Sequence, residues 1–227
     1  MTRRSFSLMP FYRLMSLVIS GLVLCLSVSM ANAADVPSPD KLIQSLFTEV
    51  NERVQKDHSK IEADKTYLIT IGNEVLLPYV SFETMAKQIL GKNWRKITPE
   101  QRSRYTDAFR NRVSVSLVSQ YDPQKRYDLE VTGSRMNSKG DRAAVNSVVT
   151  EASGTNKYNI SYKLFVDRKA GNWKVYDVVV EGISVLQSFK TASAEDFKRN
   201  GIEYMISQLE SSDASAELNA KANSKAQ

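Results

Sequence analysis

The sequence predicts an α+β domain in which a four-stranded antiparallel sheet is packed with helices. Up to about residue 121, apolar residues recur every three to four positions, which is the spacing of amphipathic helices. After Asp122-Pro123 the apolar period changes to two, which is typical of strands. Short turns separate the strands, which favours a meander, and helical spacing returns after Gly182. Helices that precede and follow a block of strands indicate the α+β class.

The first 33 residues have the features of a cleavable export signal. Three arginines lie within the first 13 residues, and residues 14–28 form an uncharged apolar stretch. Ala31-Asn32-Ala33 then places small residues where a signal peptidase requires them. We therefore expect cleavage after Ala33 and an exported mature protein. An uncleaved membrane anchor is the alternative, and the Arg3-Arg4 pair leaves twin-arginine export open beside general secretion.

The expected mature chain is a single domain followed by a tail. Residues 34–210 carry the helical and strand patterns, whereas residues 211–227 consist mainly of Ala, Ser, Asn and Lys. A segment with so little apolar bulk cannot form a packed core, so we expect the tail to be disordered.

Composition excludes several kinds of site from the mature protein. The one cysteine, Cys25, leaves with the signal, which excludes disulfides and thiol chemistry. The one histidine, His58, lies in the charged stretch QKDHSK, and we interpret it as a surface residue. Without a second histidine or a cysteine, the usual zinc and nucleophile arrangements cannot form. Loss of the signal arginines lowers the formal net charge from +6 to +3, too little to indicate a nucleic-acid partner.

Two helices are predicted before Pro78. Ser38-Pro39 opens the first, with the serine hydroxyl as N-cap and proline at the first helical position. The apolar stripe of this helix is Leu42, Ile43, Leu46, Val50 and Val54. A second helical segment runs from about Asp64 to Leu77, and Pro78 stops it.

The next two helices carry clearer end signals. Ser81 caps the third helix and Gly91 ends it. Thr98-Pro99-Glu100-Gln101 is a capping box, and the helix that it opens should continue to about Tyr121. The apolar side of that fourth helix shows Tyr105, Phe109, Val113 and Leu117.

The last predicted strand is apolar on both faces. The four strands are predicted at residues 126–132, 142–150, 158–167 and about 173–180. Strict alternation places Trp173, Val175 and Val179 on one face of the last strand. It places Tyr176, Val178 and Val180 on the other. One face can pack on the helices of the domain, so the second face needs another partner.

Two helices are predicted after the sheet. Residues 183–189 read as a short helix, and residues 193–209 read as a second helix. Ser193 would cap the second helix, with Asp196 placed to complete a capping box. Gly201 lies inside this helix and is a point where it can kink or divide.

Asp177 is the best catalytic candidate among the carboxylates. It lies in the most apolar strand, where a buried carboxylate could act as a base, as in small α+β isomerases. The alternative is a hydrogen bond that fixes local geometry at the end of the strand, and we favour this interpretation.

Two segments resemble the MlaC family, the toluene-tolerance-type periplasmic phospholipid carriers of Gram-negative bacteria. The first is LLPYVSFETMAKQILGKNWRKITPEQRSRYTDAFR, residues 76–110. The second combines GNWKVYDVVVEGISVLQSFK, residues 171–190, with RNGIEYMISQLE, residues 199–210. The order of these pieces is the specific part of the resemblance, whereas residues 127–166 match only in pattern.

The resemblance implies a fold and a cargo. Members of this family have a curved antiparallel sheet packed with helices, related to the nuclear transport factor 2-like architecture. A deep apolar pocket between sheet and helices takes the acyl chains of a phospholipid, while the head group stays near solvent. The second apolar face of residues 173–180 would then help to wall the lipid cavity. Phospholipid is the expected cargo, and no cofactor, metal or catalytic residue is expected.

The resemblance also implies a location and partners. The protein is expected to be a periplasmic monomer that shuttles lipid and maintains outer-membrane lipid asymmetry. Its expected partners are an outer-membrane lipoprotein–porin complex and an inner-membrane ABC-type lipid transporter complex with a periplasmic substrate-binding-type ring.

We select two groups of candidate site residues. The expected lipid-binding residues lie on the more apolar strand faces and on the apolar helix stripe next to the matching segments: Leu76, Val80, Phe82, Met85, Ile89, Tyr162, Leu164, Tyr176, Val178, Val180 and Val185. A basic cluster at the helix junction could serve docking or head-group contact, or could be a solvated face: Lys92, Arg95, Lys96 and Arg102.

Two other functions stay open at this point. A small-molecule isomerase or lyase would have a smaller pocket with Asp177 at its floor. A protein-binding module would have a filled core without a cavity, with protein side chains covering the second strand face.

Overall fold

The computed structural model describes residues 37–122, 124–154 and 156–211. The predicted signal peptide, its cleavage site after Ala33 and residues 212–227 of the predicted tail lie outside these ranges. The predicted domain bounds therefore stay predictions.

Helices precede the sheet along the chain, and one long helical run follows it. The first five helices are α1 (Pro39–Lys56), α2 (His58–Ala63), α3 (Tyr67–Val75), α4 (Phe82–Leu90) and α5 (Pro99–Gln120). Two 3₁₀ helices, Leu77–Tyr79 and Gly91–Arg95, flank α4. The strands are β1 (Tyr127–Met136), β2 (Arg142–Glu151), β3 (Lys157–Asp167), β4 (Asn172–Val180) and β5 (Ile183–Ser184), and α6 spans Val185–Ser211.

The antiparallel meander is confirmed, but the described sheet has five strands rather than four. Its order is β1-β2-β3-β4-β5. The additional strand arises because Glu181 and Gly182 have φ of 48° and 80° and fold the chain back on β4. Positive φ at both central residues is the geometry of a tight hairpin turn. The predicted helix at residue 183 therefore starts at Val185 instead.

A β-bulge changes the faces of β4. Leu164 pairs with Val175 and Lys163 pairs with Asp177, so Tyr176 is the extra residue. Val178 consequently shares the face of Trp173 and Val175, whereas Tyr176 turns to the other side. The strict alternation predicted for this strand is wrong, since one extra residue reverses every later side chain.

Two of the predicted helix starts form as expected. Thr98 Oγ1 accepts a hydrogen bond from the Gln101 backbone N–H at 3.2 Å, and the Gln101 side chain accepts one from the Thr98 N–H at 3.0 Å. Ser81 Oγ accepts from the Thr84 N–H at 3.3 Å, and Gly91 ends α4. Ser38 precedes α1 without a capping hydrogen bond from its side chain.

The final helix differs from the prediction. Residues 185–211 form one helical run divided at Gly201, whose φ is 75°. Ser193 lies inside this run, in which Gly201 is the residue that departs from helical geometry, and so Ser193 is not an N-cap. Ser184 occupies the start of the helix, because its Oγ accepts from the Gln187 N–H at 3.0 Å.

The apolar interior has two parts. The sheet core joins α1, α3 and the end of α5 to one face of the sheet, and includes Ile71, Val118, Val145, Leu164 and Trp173. The helical core joins α4, the first half of α5 and α6, and includes Ile89, Tyr105, Phe109, Met205 and Ile206. Val80 packs against both cores. None of the described helices is both long and apolar enough to cross a bilayer.

Candidate functional site

An apolar cavity of about 260 Å³ lies beside the sheet core. Its walls come from α1, α3, α5 and the segment 76–82. The lining residues are Val50, Val54, Leu68, Ile69, Ile71, Gly72, Asn73, Leu76, Leu77, Val80, Phe82, Ser114, Leu117, Val118 and Tyr121. Only Asn73, Ser114 and Tyr121 bring polar side-chain atoms, and burial raises the pKa of the Tyr121 hydroxyl. Such walls suit an apolar ligand held without directional bonds.

Helix α3 forms the wall between the cavity and the sheet core. Val75 is buried in the sheet core, whereas Leu68 and Ile71 belong to that core and also border the cavity. Ile69, Gly72 and Leu76 lie along the cavity. Positions three and four apart share one face of a helix, so Leu68, Ile71 and Gly72 form a single face that borders the cavity.

A buried carboxylate fixes α3 relative to α1. Asp57 accepts hydrogen bonds from Lys60 Nζ at 2.9 Å, from the Tyr67 hydroxyl at 3.4 Å and from Arg53 Nε at 3.4 Å. Arg53 also donates from Nη2 to Glu74 of α3 at 2.7 Å. The hydrogen bond from Lys60 lowers the pKa of the Asp57 carboxyl. These contacts hold two cavity walls at a fixed spacing.

The segment 76–82 is tied to the sheet and to the helical core. Val80 forms a parallel bridge with Val175 of β4, and the Ser81 N–H donates to the Val175 carbonyl at 2.8 Å. Phe82 meets Phe109 edge-on, with ring centroids 6.0 Å apart. Phe109 in turn lies 4.9 Å from Phe189 of α6. This part of the cavity wall therefore touches both cores.

The structure brings three of the predicted lipid-binding residues together at the cavity. Leu76, Val80 and Phe82 line it. Met85, Ile89 and Tyr176 belong to or pack against the helical core. Tyr162, Leu164 and Val178 belong to or pack against the sheet core. Val185 is half-buried at the start of α6, and Val180 is exposed at the sheet end, so these eight residues lie away from the cavity.

Sequence reasoning missed the contributions of α1 and of the end of α5. Val50, Val54 and Leu117 belong to predicted apolar stripes, but a stripe does not distinguish core from cavity wall. Leu117 is 63% exposed although it lies on the apolar stripe predicted for α5. Gly72 was a usable signal, because a glycine inside an apolar helix marks a place without a side chain to pack.

The predicted basic cluster at the α4–α5 junction consists of three exposed side chains and one that packs on Trp94. Lys92, Arg95 and Lys96 are exposed. Arg102 instead lies over the Trp94 ring, 5.5 Å from its centroid, and donates from Nε to the Trp94 carbonyl at 3.0 Å. A second, polar cavity of about 400 Å³ borders Arg102 and Trp94 but none of the three exposed cations.

Asp177 is buried and fully engaged by neighbouring donors. Lys163 Nζ lies 2.8 Å from its Oδ2, and the Ser184 hydroxyl donates to the same oxygen at 2.8 Å. The Leu186 N–H donates to Oδ1 at 3.1 Å. The carboxylate thus joins β3 and β4 to the start of α6 and borders neither cavity described above. This geometry agrees with the local structural role that we favoured.

The one histidine has a simple surface environment. His58 is 43% exposed, and its Nδ1 lies 3.6 Å from Glu62. Across the described ranges, no group of three or more His, Cys, Asp or Glu side chains is placed to hold a metal ion.

Known proteins resemble this chain along most of the described residues. A family model described as MlaC protein matches residues 44–211. The chain is 27% identical over 177 residues to the intermembrane phospholipid transport system binding protein MlaC of Haemophilus influenzae, covering 77% of this chain and 82% of that protein. It is 24% identical over 189 residues to the toluene tolerance protein ttg2D of Pseudomonas putida, covering 83% and 86%.

A solved structure shares the fold. It is a phospholipid-binding protein from Ralstonia solanacearum in complex with a phospholipid, and it matches with a TM-score of 0.70 at 18% identity. The match covers 79% of this chain and 98% of that one. It supports the assignment of helices packed on an antiparallel sheet.

Proposed function

The chain belongs to the MlaC family, and we propose that it is a periplasmic phospholipid carrier whose apolar cavity holds acyl chains. The lining of the cavity carries this proposal, because twelve of its fifteen residues offer no polar side-chain atom. Two relatives support it by name: one is a phospholipid transport binding protein, and one was solved with a phospholipid.

The physical need for such a cavity follows from the cost of wetting acyl chains. Exposure to water costs about 0.8 kcal/mol for each CH₂ group, so a two-chain lipid does not cross an aqueous compartment unaided. A carrier has to bury the chains and later release them. Apolar contacts meet both needs, since they tolerate different chains and impose no directional bonds.

The size of the cavity implies that it widens on loading. Its volume of about 260 Å³ lies below the roughly 300–1,000 Å³ of typical small-molecule sites. A two-chain lipid therefore requires the walls to separate. We assign the rim to the end of α5, where Leu117 is largely exposed although it borders the cavity.

The partners proposed for the carrier follow from family membership. The protein would receive lipid at an outer-membrane lipoprotein–porin complex and deliver it to an inner-membrane ABC-type transporter complex, or the reverse, as a monomer. This exchange would maintain outer-membrane lipid asymmetry. Lys92, Arg95 and Lys96 are proposed docking or head-group contacts, because they are exposed and no described carboxylate pairs with them.

Mass spectrometry tests the proposal directly. The full chain would be exported to the periplasm of a Gram-negative host, purified without detergent, and measured intact and after organic extraction. We expect about one phospholipid per chain. A ligand-free mass, together with no uptake from phospholipid vesicles, would overturn the proposal.

A further inference from the structure

Gly72 occupies a position where the fold gives no reason for glycine. It lies inside α3 with ordinary helical geometry, and glycine weakens a helix interior relative to alanine. Among the described glycines, six have positive φ, which favours glycine, and Gly133 lies at the register shift of β1. Gly72 has neither property.

Packing within the protein does not require a glycine here either. A β-carbon added at Gly72 would meet no atom within 4 Å beyond its chain neighbours and the backbone of its own helix. The space beside it is the apolar cavity, which Gly72 lines together with Ile69 of the same helix and with Leu76, which follows the helix. The missing side chain therefore leaves the α3 backbone itself as part of the cavity wall.

We propose that Gly72 is a specificity-determining residue, at which an acyl chain of the bound phospholipid lies directly against the α3 backbone. The inference rests on the proposed carrier function. A side chain at this position would fill the space that the acyl chain needs, so its size would set how much chain the cavity accepts. Larger residues would favour shorter chains or single-chain lipids.

A graded series tests this role. Gly72→Ala and Gly72→Leu add one carbon and four carbons to the cavity wall, and Thr70→Leu is the matched control because Thr70 is exposed and does not border the cavity. The measurements are phospholipid per chain, acyl composition of the extracted lipid, and thermal unfolding of the lipid-free proteins.

We expect Gly72→Leu to lower phospholipid occupancy at least ten-fold, or to shift the bound lipid to shorter or single chains. Gly72→Ala should give a smaller change in the same direction, and Thr70→Leu should match the wild type. Both Gly72 variants should unfold, without lipid, at or above the wild-type temperature, since an added β-carbon meets open space and alanine and leucine favour a helix interior over glycine.

Three outcomes would overturn the inference. A Gly72→Leu protein with wild-type occupancy and acyl composition would do so while leaving the carrier function intact. A Gly72→Leu protein that unfolds well below the wild type would show that the space is not free. A wild-type protein that carries no lipid would overturn both the carrier function and the inference.

Discussion

The two halves of α5 face two interiors that differ in how completely they are filled. In the first half, Tyr105 and Phe109 are 1% and 0% exposed, and Phe109 packs against the rings of Phe82 and Phe189. In the second half, Ser114 and Leu117 border the cavity, and Leu117 is 63% exposed. One helix thus supplies a closed core and an open wall.

This difference indicates that side-chain size, more than the apolar pattern, determines where the cavity forms in this domain. Large rings on successive turns fill the helical core, and burial raises the pKa of Tyr105 to about 12. At the cavity, a serine on α5 and a glycine on α3 leave the space open. Close packing is the default in protein interiors, so the unfilled region is an exception, and the proposed phospholipid would account for it.

Truncation of a ring in the first half of α5, which faces the filled core, should give the largest loss of stability. Phe109→Ala removes a fully buried ring that contacts three aromatic side chains, and such changes cost about 3–5 kcal/mol. Urea unfolding of the lipid-free protein measures this loss. Leu117→Ala on the same helix is the control and should stay within about 0.5 kcal/mol of wild type, because its side chain is already exposed. Equal losses of unfolding free energy in the two variants would contradict the proposed difference in packing between the two halves of α5.

A charge at the open half should affect ligand binding rather than folding. Leu117→Glu places a carboxylate at the cavity rim, where an acyl chain would have to desolvate it. We expect phospholipid occupancy to fall roughly ten-fold, which corresponds to about 1.4 kcal/mol. Intact-mass measurement after exposure to phospholipid vesicles reads out the effect.

The matched control is Met136→Glu, since Met136 is 55% exposed on β1 and does not line the cavity. It should bind lipid as the wild type does. The role of the α5 rim would be refuted if both variants lost lipid equally.

Acid should weaken the contacts of Asp57 between α1 and α3, with a smaller effect on stability. Because the pKa of Asp57 is lowered in the folded protein, its contribution to stability is fully present above the pKa of the unfolded chain, about 3.9. It is lost as the pH falls from there through the folded value. The unfolding temperature should therefore fall more steeply between pH 6 and 3 for wild type than for Asp57→Asn. Parallel curves for the two proteins would exclude this contribution.

Local signals in the sequence predicted local structure well. The capping box at Thr98 and the end of α4 at Gly91 form as expected, because each depends on residues within one helical turn. The bulge at Tyr176 depends on pairing with β3, a distant element, and the helix continues through Ser193 despite its capping signal.

The cavity was predictable only in part for the same reason. Leu76, Val80 and Phe82 lie in a segment with family resemblance, and all three line the cavity. Leu164 has the same apolar pattern but is completely buried in the sheet core. An apolar stripe shows that a position avoids water, and it does not show whether protein or ligand excludes that water.

The bridge between Val80 and Val175 also has a consequence for solubility. The outer edge of β4 would otherwise present unpaired backbone groups beside an apolar sequence, which is a template for adding a strand from another molecule. Ser81 uses one of these groups through its bond to the Val175 carbonyl, and β5 pairs with the far end of the strand. The segment 76–82, which lines the cavity, therefore also shields this edge of the sheet from self-association. A movement that lifted it away to admit lipid would briefly expose an aggregation-prone edge.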